Sequence, residues 1–256
     1  MSGRRAFFYY ENNIINKGCT ARYKFSISLL KDKFVLDIGC GARMGPWIIS
    51  DNAAKVFALD ISKEAIFYCS KKWEKNNIVY LVADAEKLPF KNGIFDAVLS
   101  FELIEHLNDY KNYLAEVYRI LKKGGMLIIS TPNRSVSSPS GIISNPYHIR
   151  EFDLEEFKNI LLDQFVGVSL YGQKPSTRII QAEFLLDIIN EKQYRTPELL
   201  KHILPGLIKK KIRNIYAYIF GKIKRLATPN EVIEEDFIFE KNDIEKARNF
   251  LAICRK

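Results

Sequence analysis

The stretch Val35-Leu36-Asp37-Ile38-Gly39-Cys40-Gly41 is an apolar run that stops at small residues. A second apolar run, Phe57-Ala58-Leu59-Asp60, stops at a carboxylate 19 residues beyond Gly41. Gly39 and Gly41 admit positive φ and let the backbone approach a ligand closely. A tight turn from a strand into a helix, with an acid at the end of the next strand to accept ribose hydroxyls, suits an adenosine-containing cofactor. The dinucleotide pattern G-x-G-x-x-G would need glycine at position 44, where the chain has Met44. A large side chain there keeps a pyrophosphate away from the backbone N–H groups. No Gly-Lys-Ser/Thr follows the first strand, which argues against Walker-type ATP or GTP chemistry.

The elements that must position these residues follow a βα rhythm. Candidate strands at 33–38, 55–59, 78–82, 94–100, 125–130 and 164–171 alternate with helical patterns near 44–51, 62–75, 109–122 and 153–163. Continuous apolar runs such as Ala97-Val98-Leu99 and Met126-Leu127-Ile128-Ile129 are expected of parallel strands covered on both faces. Asn249 to Cys254 reads as a terminal strand. The pattern predicts an α/β fold: a doubly wound, mostly parallel seven-stranded sheet of Rossmann-like form, with a helical insertion before the last strand. Asp60-Ile61-Ser62-Lys63-Glu64 offers a cap at the second helix, and Asp153-Leu154-Glu155-Glu156 resembles a capping box. Lys122-Lys123-Gly124-Gly125 reads as a helix end. Residues 1–30, with Phe7, Phe8, Tyr9 and Tyr10, are expected to form a helical cap over the site. Residues 31–173 and 241–256 would make the cofactor domain, and 174–240 a mostly helical basic insertion.

Apolar residues make up 47% of the chain and charged ones 27%, a balance ordinary for a soluble globular protein. Cys19, Cys40, Cys69 and Cys254 form no C-x-x-C pair, so a disulfide framework or cysteine zinc site is not expected and a reducing compartment fits better. No metal ligand set is assigned. No run approaches the roughly 18 apolar residues of a membrane-spanning helix. No signal-peptide core follows Arg4 and Arg5. A cytoplasmic protein is expected, with the membrane surface still open to it. The net charge of +9 is concentrated: residues 201–225 hold eight basic residues and no acid. Within that segment Ile208, Ile212, Ile215 and Ile219 recur at helical spacing among the lysines and arginines. It reads either as a helix packed on the domain with its charges in solvent, or as a helix lying on an anionic membrane or over a lipid-like acceptor.

Further segments narrow the cofactor. Val35 to Gly41, Ala58-Leu59-Asp60-Ile61-Ser62, Ala83-Asp84-Ala85-Glu86-Lys87-Leu88-Pro89-Phe90, Phe95-Asp96-Ala97-Val98-Leu99-Ser100, Phe101-Glu102-Leu103-Ile104-Glu105-His106-Leu107 and Leu121 to Gly125 follow in order. This series resembles the class I S-adenosylmethionine-dependent methyltransferases over residues 30–170, in particular those acting on small molecules in quinone and saccharide biosynthesis. The resemblance implies that Asp37, Gly39, Cys40 and Gly41 form the loop under the methionine part of S-adenosylmethionine. It implies that Asp60 accepts the ribose hydroxyls, that Ile61 lies against adenine, and that Asp84 and Ala85 meet the adenine edge. Phe101 and Glu102 would lie where cofactor and acceptor meet. Many relatives carry a third glycine where this chain has Arg43, whose side chain either points outward or narrows the site.

Methyl transfer to oxygen needs a base, and histidine is suited to that task near neutral pH. The choices are His106, His148 and His202. His106 stands four residues after Glu102 and would share a face with it in a helix. His148, in Asn145-Pro146-Tyr147-His148-Ile149-Arg150-Glu151, follows the fifth strand, where open α/β sheets gather their sites. Each has a plainer reading as a loop support, and Arg150 could position a carboxylate or phosphate. Asn145-Pro146-Tyr147 follows the fifth strand rather than the fourth, so it differs from the Asn-Pro-Pro-Tyr of amino-methylating nucleic-acid enzymes. The expected activity is methyl transfer from S-adenosylmethionine to a small-molecule, glycan-linked or lipid-like acceptor, at oxygen. The alternative is a non-catalytic or weakly catalytic protein of the same fold whose basic insertion binds a membrane or partner. Modification of RNA or DNA ranks lower, and the oligomeric state is not legible.

Overall fold

The computed structural model describes residues 14–143, 145–180 and 236–256. The helix α1 spans Ile14–Ser26, and the strand β1 spans Phe34–Ile38. There follow α2 (Gly45–Ile49), β2 (Lys55–Asp60), α3 (Lys63–Lys72), β3 (Ile78–Val82) and β4 (Phe95–Phe101). After a short 3₁₀ turn at Ile104–His106 come α4 (Tyr110–Ile120), β5 (Leu121–Pro132), α5 (Arg134–Ser137), α6 (Leu154–Leu162) and β6 (Gly167–Pro175). The described chain closes with β7 (Phe237–Glu240) and β8 (Asn249–Arg255).

The sheet order is β3-β2-β1-β4-β5-β8-β6-β7. Strands β1 to β5 pair in parallel, and β8 runs antiparallel to both β5 and β6. Buried strands need apolar side chains on both faces, and alternate residues divide accordingly. Leu36, Ile38, Val98, Leu127 and Ile129 join Leu114 and Val117 of α4 and Phe157 and Leu161 of α6 in one core. Val35, Val56, Ala97, Leu99 and Ile128 join Cys19 and Tyr23 of α1 and Ile48 and Ile49 of α2 in the other.

Three local expectations change. Among the described residues the sheet has eight strands rather than seven, because Phe237–Glu240, within the stretch expected to be a helical insertion, forms an edge strand beside β6. Its four residues are too short to give a period, and tertiary contact secures them: Phe237 is buried and Phe239 stacks on Phe25 with ring centroids 4.5 Å apart. The Lys122–Gly125 segment is not a helix end, since α4 stops at Ile120 and residues 121–132 are strand. Gly124 takes φ 76°, and a Cβ on Gly125 would come 2.8 Å from the Lys122 carbonyl oxygen, so the glycine pair serves the shift in register between β4 and β5. Glu102 and His106 share no helical face, because Glu102 follows β4 at φ 56° before the 3₁₀ turn.

The predicted caps form. Ser62 accepts from the Ala65 N–H at the start of α3. Asp153 accepts from the Glu156 N–H at 2.9 Å while Glu156 accepts from the Asp153 N–H at 3.1 Å, a complete capping box. Packing divides the chain into two units, Met1–Lys174 with Phe237–Lys256, and Pro175–Asp236. In the second, Ser176 and Arg178 both bond the Asp236 carboxylate. Phe7 to Tyr10, His202 and the basic segment 201–225 lie outside the described residues. No helix among the described residues is long and apolar enough to cross a membrane.

Candidate cofactor and acceptor site

The site begins where β1 and β2 end side by side. Gly39 and Gly41 take φ 73° and 57°, so the loop after β1 needs glycine at both places. The Gly39 and Cys40 N–H groups donate to the Leu59 carbonyl of β2 at 2.8 and 3.1 Å. The Gly41 N–H donates to Asp60 Oδ2 at 2.8 Å, and the Ser62 N–H to Asp60 Oδ1 at 2.9 Å. The glycine–acid spacing is therefore realised as a direct bond between the two strand ends. Each carboxylate oxygen keeps further acceptor capacity, because an ionised carboxylate can accept about four hydrogen bonds.

A cavity of about 200 Å³ opens there. Its lining includes Gly39, Asp60, Ile61, Asp84, Ala85 and His106, together with Glu86. Five of the residues expected to contact the cofactor, Gly39, Asp60, Ile61, Asp84 and Ala85, thus share one cavity. Asp37, Cys40, Gly41 and Phe101 stand behind or beside it. Cys40 is buried in the core. Phe101 is buried with its ring edge-on to Tyr23 at 4.9 Å.

Asp37 is fully buried, and Tyr23 of α1 donates its hydroxyl to Oδ2 at 2.8 Å. The other oxygen, Oδ1, has no hydrogen-bond partner. Burial pushes this carboxyl up to about 7, with the Asp60 charge adding to the rise and the Tyr23 bond opposing it. Arg43 turns toward α1, where its guanidinium donates to Cys19 Sγ at 2.9 Å. The tolerance for this arrangement lies at Gly45, whose missing side chain makes room for the Tyr23 ring. Neither Tyr23 nor Gly45 has a spacing signal that would have identified it.

The other wall comes from the end of β4 and the loop after β5. Glu102 is held by its carboxylate, which accepts from Ser130 Oγ at 2.7 Å and from Asn249 Nδ2 at 2.8 Å. His106 lines the cavity, and its Nδ1 meets the Tyr147 carbonyl oxygen at 2.7 Å. A carbonyl only accepts, so Nδ1 carries a proton. His148 Nδ1 bonds Glu151 Oε1 at 2.7 Å, while Asn145 Nδ2 donates to His148 Nε2 at 2.8 Å. Both His148 nitrogens are thus engaged, and its ring stands 5.0 Å from that of His106. Burial raises the Glu151 carboxyl, but bonds from His148 and Ser137 outweigh this and hold it below the usual range. Arg150 lies over the Tyr110 ring and donates to the Asn108 carbonyl. Asn145 and Glu151, unassigned from sequence, are the residues that orient His148.

The comparisons agree with this geometry. The family model "Methyltransferase domain" matches residues 36–129. A Mycobacterium tuberculosis protein described as a probable S-adenosylmethionine-dependent methyltransferase is 34% identical over 140 residues, 54% of this chain and 50% of that one. A ubiquinone biosynthesis O-methyltransferase of Pelagibacter ubique is 34% identical over 132 residues, covering 51% and 53% of the two chains. The chain therefore spans about half the length of these curated relatives. In fold, it is similar to the YcgJ protein of Bacillus subtilis, with TM-score 0.58 and 16% identity over 93% of this chain and 98% of that one. Residues 36–129 thus match a methyltransferase domain, and the chain is similar over about half its length to proteins described as S-adenosylmethionine-dependent methyltransferases.

Proposed function

We propose that the protein transfers the methyl group of S-adenosylmethionine to a small-molecule, glycan-linked or lipid-like acceptor, at oxygen. The observation that carries this reading is the charge of the cavity. Asp60, Asp84 and Glu86 line it, and no lysine or arginine among the described residues does. Carboxylates at this density oppose a polyphosphate and favour a ligand bearing sulfonium and ammonium charges. The unpartnered Asp37 Oδ1 behind the loop offers a further acceptor. Asp60 and Asp84 suit the ribose hydroxyls and the adenine amine respectively, and Ile61, largely exposed, offers an apolar surface for the adenine ring.

When bound, S-adenosylmethionine supplies an activated methyl carbon for in-line displacement, so the protein's part is alignment and proton removal. His106 is the candidate base, because it lines the cavity and its Nδ1–H bond directs Nε2 to accept the proton of an acceptor hydroxyl. His148, tied to Asn145 and Glu151, orients the wall beside it. Glu102, fixed by Ser130 and Asn249, joins the ends of β4, β5 and β8. The oxygen acceptor draws support from the ubiquinone biosynthesis O-methyltransferase similarity. The eight basic residues of 201–225 support contact with an anionic membrane carrying such an acceptor.

Calorimetric titration of the full chain with S-adenosylmethionine and with NAD tests the reading. Binding of the methyl donor alone is the expected result, and binding of NAD alone would overturn it. Asp60→Ala removes a charged acceptor from two ribose hydroxyls at about 1.5–3 kcal/mol per bond, so affinity should fall by at least roughly 100-fold. An unchanged affinity would refute the ribose assignment.

A further inference from the structure

We infer that Glu105, His106 and His148 form a binding site for a divalent first-row transition-metal cation. One ligand atom from each lies within 4.8 Å of the others. Zinc–ligand distances of about 2.0–2.2 Å put tetrahedral donors roughly 3.4 Å apart, so side-chain movements of about 1 Å would close the set.

Two independent features of the surroundings point to a cation. The first is how the rings are held. Histidines that bind metals donate their other ring N–H to a carboxylate or backbone carbonyl, which fixes the ring and turns the remaining lone pair toward the metal. Both arrangements occur: His106 Nδ1 meets the Tyr147 carbonyl and His148 Nδ1 meets Glu151, each at 2.7 Å. Glu151 is itself held by Ser137 Oγ at 2.7 Å. A cation would replace the present Asn145 contact at His148 Nε2.

The second feature is Glu105. Its side chain is fully buried at the start of the wall, where Thr131 Oγ1 donates to Oε2 at 3.2 Å. Its other oxygen, Oε1, is buried without a hydrogen-bond partner. A buried carboxylate costs several kcal/mol unless a proton or a cation compensates it, and the two imidazoles beside it are ligands for the second solution. Two imidazoles with one carboxylate favour zinc, manganese, iron or cobalt over magnesium and calcium, which prefer oxygen ligands alone. Three protein ligands leave at least one coordination position open. His106 also lines the cofactor cavity, so with a cation bound its Nε2 would be a ligand rather than the base, and the cation would take over activation of an acceptor oxygen there. This last role rests on the methyl-transfer reading, whereas the cation site does not.

The test uses the chain of 256 residues without a tag, stripped with EDTA and titrated calorimetrically with zinc chloride or magnesium chloride alone. Zinc should bind at about one per chain, and magnesium at least roughly 100-fold more weakly. His148→Ala and Glu105→Gln should each weaken zinc by at least about 10-fold, and Glu151→Gln, acting through His148, by about 10–100-fold. Circular dichroism identifies any variant that has lost its fold. Since Glu105 and Glu151 are both buried, the half-buried His148→Ala keeps the comparison decisive. Absence of zinc binding, or equal binding in folded His148→Ala and Glu151→Gln, would overturn the site. S-adenosylmethionine affinity measured on the same samples separates failure of the cofactor reading from failure of this one.

Discussion

Gly45→Ala should be among the most destabilising single-methyl changes in this protein. A Cβ at position 45 would lie 2.5 Å from Tyr23 Cε1, with Cζ and Cε2 nearer still. Nonbonded carbons prefer about 3.5–4.0 Å, so the ring must retreat by at least about 1 Å. It has no easy retreat, because the ring is buried, stands edge-on to Phe101 at 4.9 Å and donates to Asp37 at 2.8 Å. Overpacking of this kind costs about 1–3 kcal/mol. Loss of the hydroxyl's bond to a carboxylate adds about 1.5–3 kcal/mol. The sum, roughly 3–6 kcal/mol, corresponds to a fall of about 6–24 °C in Tm at this chain length. Thermal and urea unfolding of the wild type, Gly45→Ala, Tyr23→Ala and the double variant would measure it. The cost of Gly45→Ala should fall below about 1 kcal/mol once the ring is gone, giving a coupling of about 2 kcal/mol or more. An unchanged Tm in the single variant, or the same cost in both backgrounds, would refute the packing argument.

Two further outcomes follow from the same structure. The buried Asp37 carboxyl, pushed up to about 7 from an ordinary 3.8, holds its proton in the folded state where the unfolded chain has lost it. The unfolded state then binds fewer protons, so stability falls as pH rises between those values, by on the order of 4 kcal/mol across the full span. The stability difference between wild type and Asp37→Asn should therefore shrink as pH rises from about 5 to 7.5, and a flat or rising difference in urea titrations would contradict this. Asp153→Ala removes the capping bond at the start of α6 and the Arg134 ion pair at 2.5 Å. Because that pair is over a third exposed it adds little, and the expected loss is about 1–2 kcal/mol by chemical denaturation. A loss below about 0.3 kcal/mol would mean the box is not holding the helix.

Local chemistry made much of the cavity wall legible. The place of Asp60 beside the glycine turn is legible from spacing because parallel neighbours β1 and β2 bring consecutive strand ends together, and the Gly41–Asp60 bond is the consequence. Ser62 and the Asp153–Glu156 box are effects over three residues, within reach of pattern reading. Asp84 and Ala85 were assigned by family resemblance, and they line the same cavity as Asp60.

What the sequence determined by itself, then, was the order of buried strands, the helix caps, and the pairing of a glycine turn with an acid. Periodicity and capping act over a few residues, so they can be read without knowing the fold. Only the tertiary structure decided that Arg43 meets Cys19, that Tyr23 occupies the space left by Gly45, and that Glu102 is tied to Asn249 across 147 residues. It likewise decided that His106 and His148, 42 positions apart, stand ring to ring beside the buried Glu105. Such contacts depend on which strand ends and loops the folded sheet brings together, and no local repeat in the chain encodes that juxtaposition.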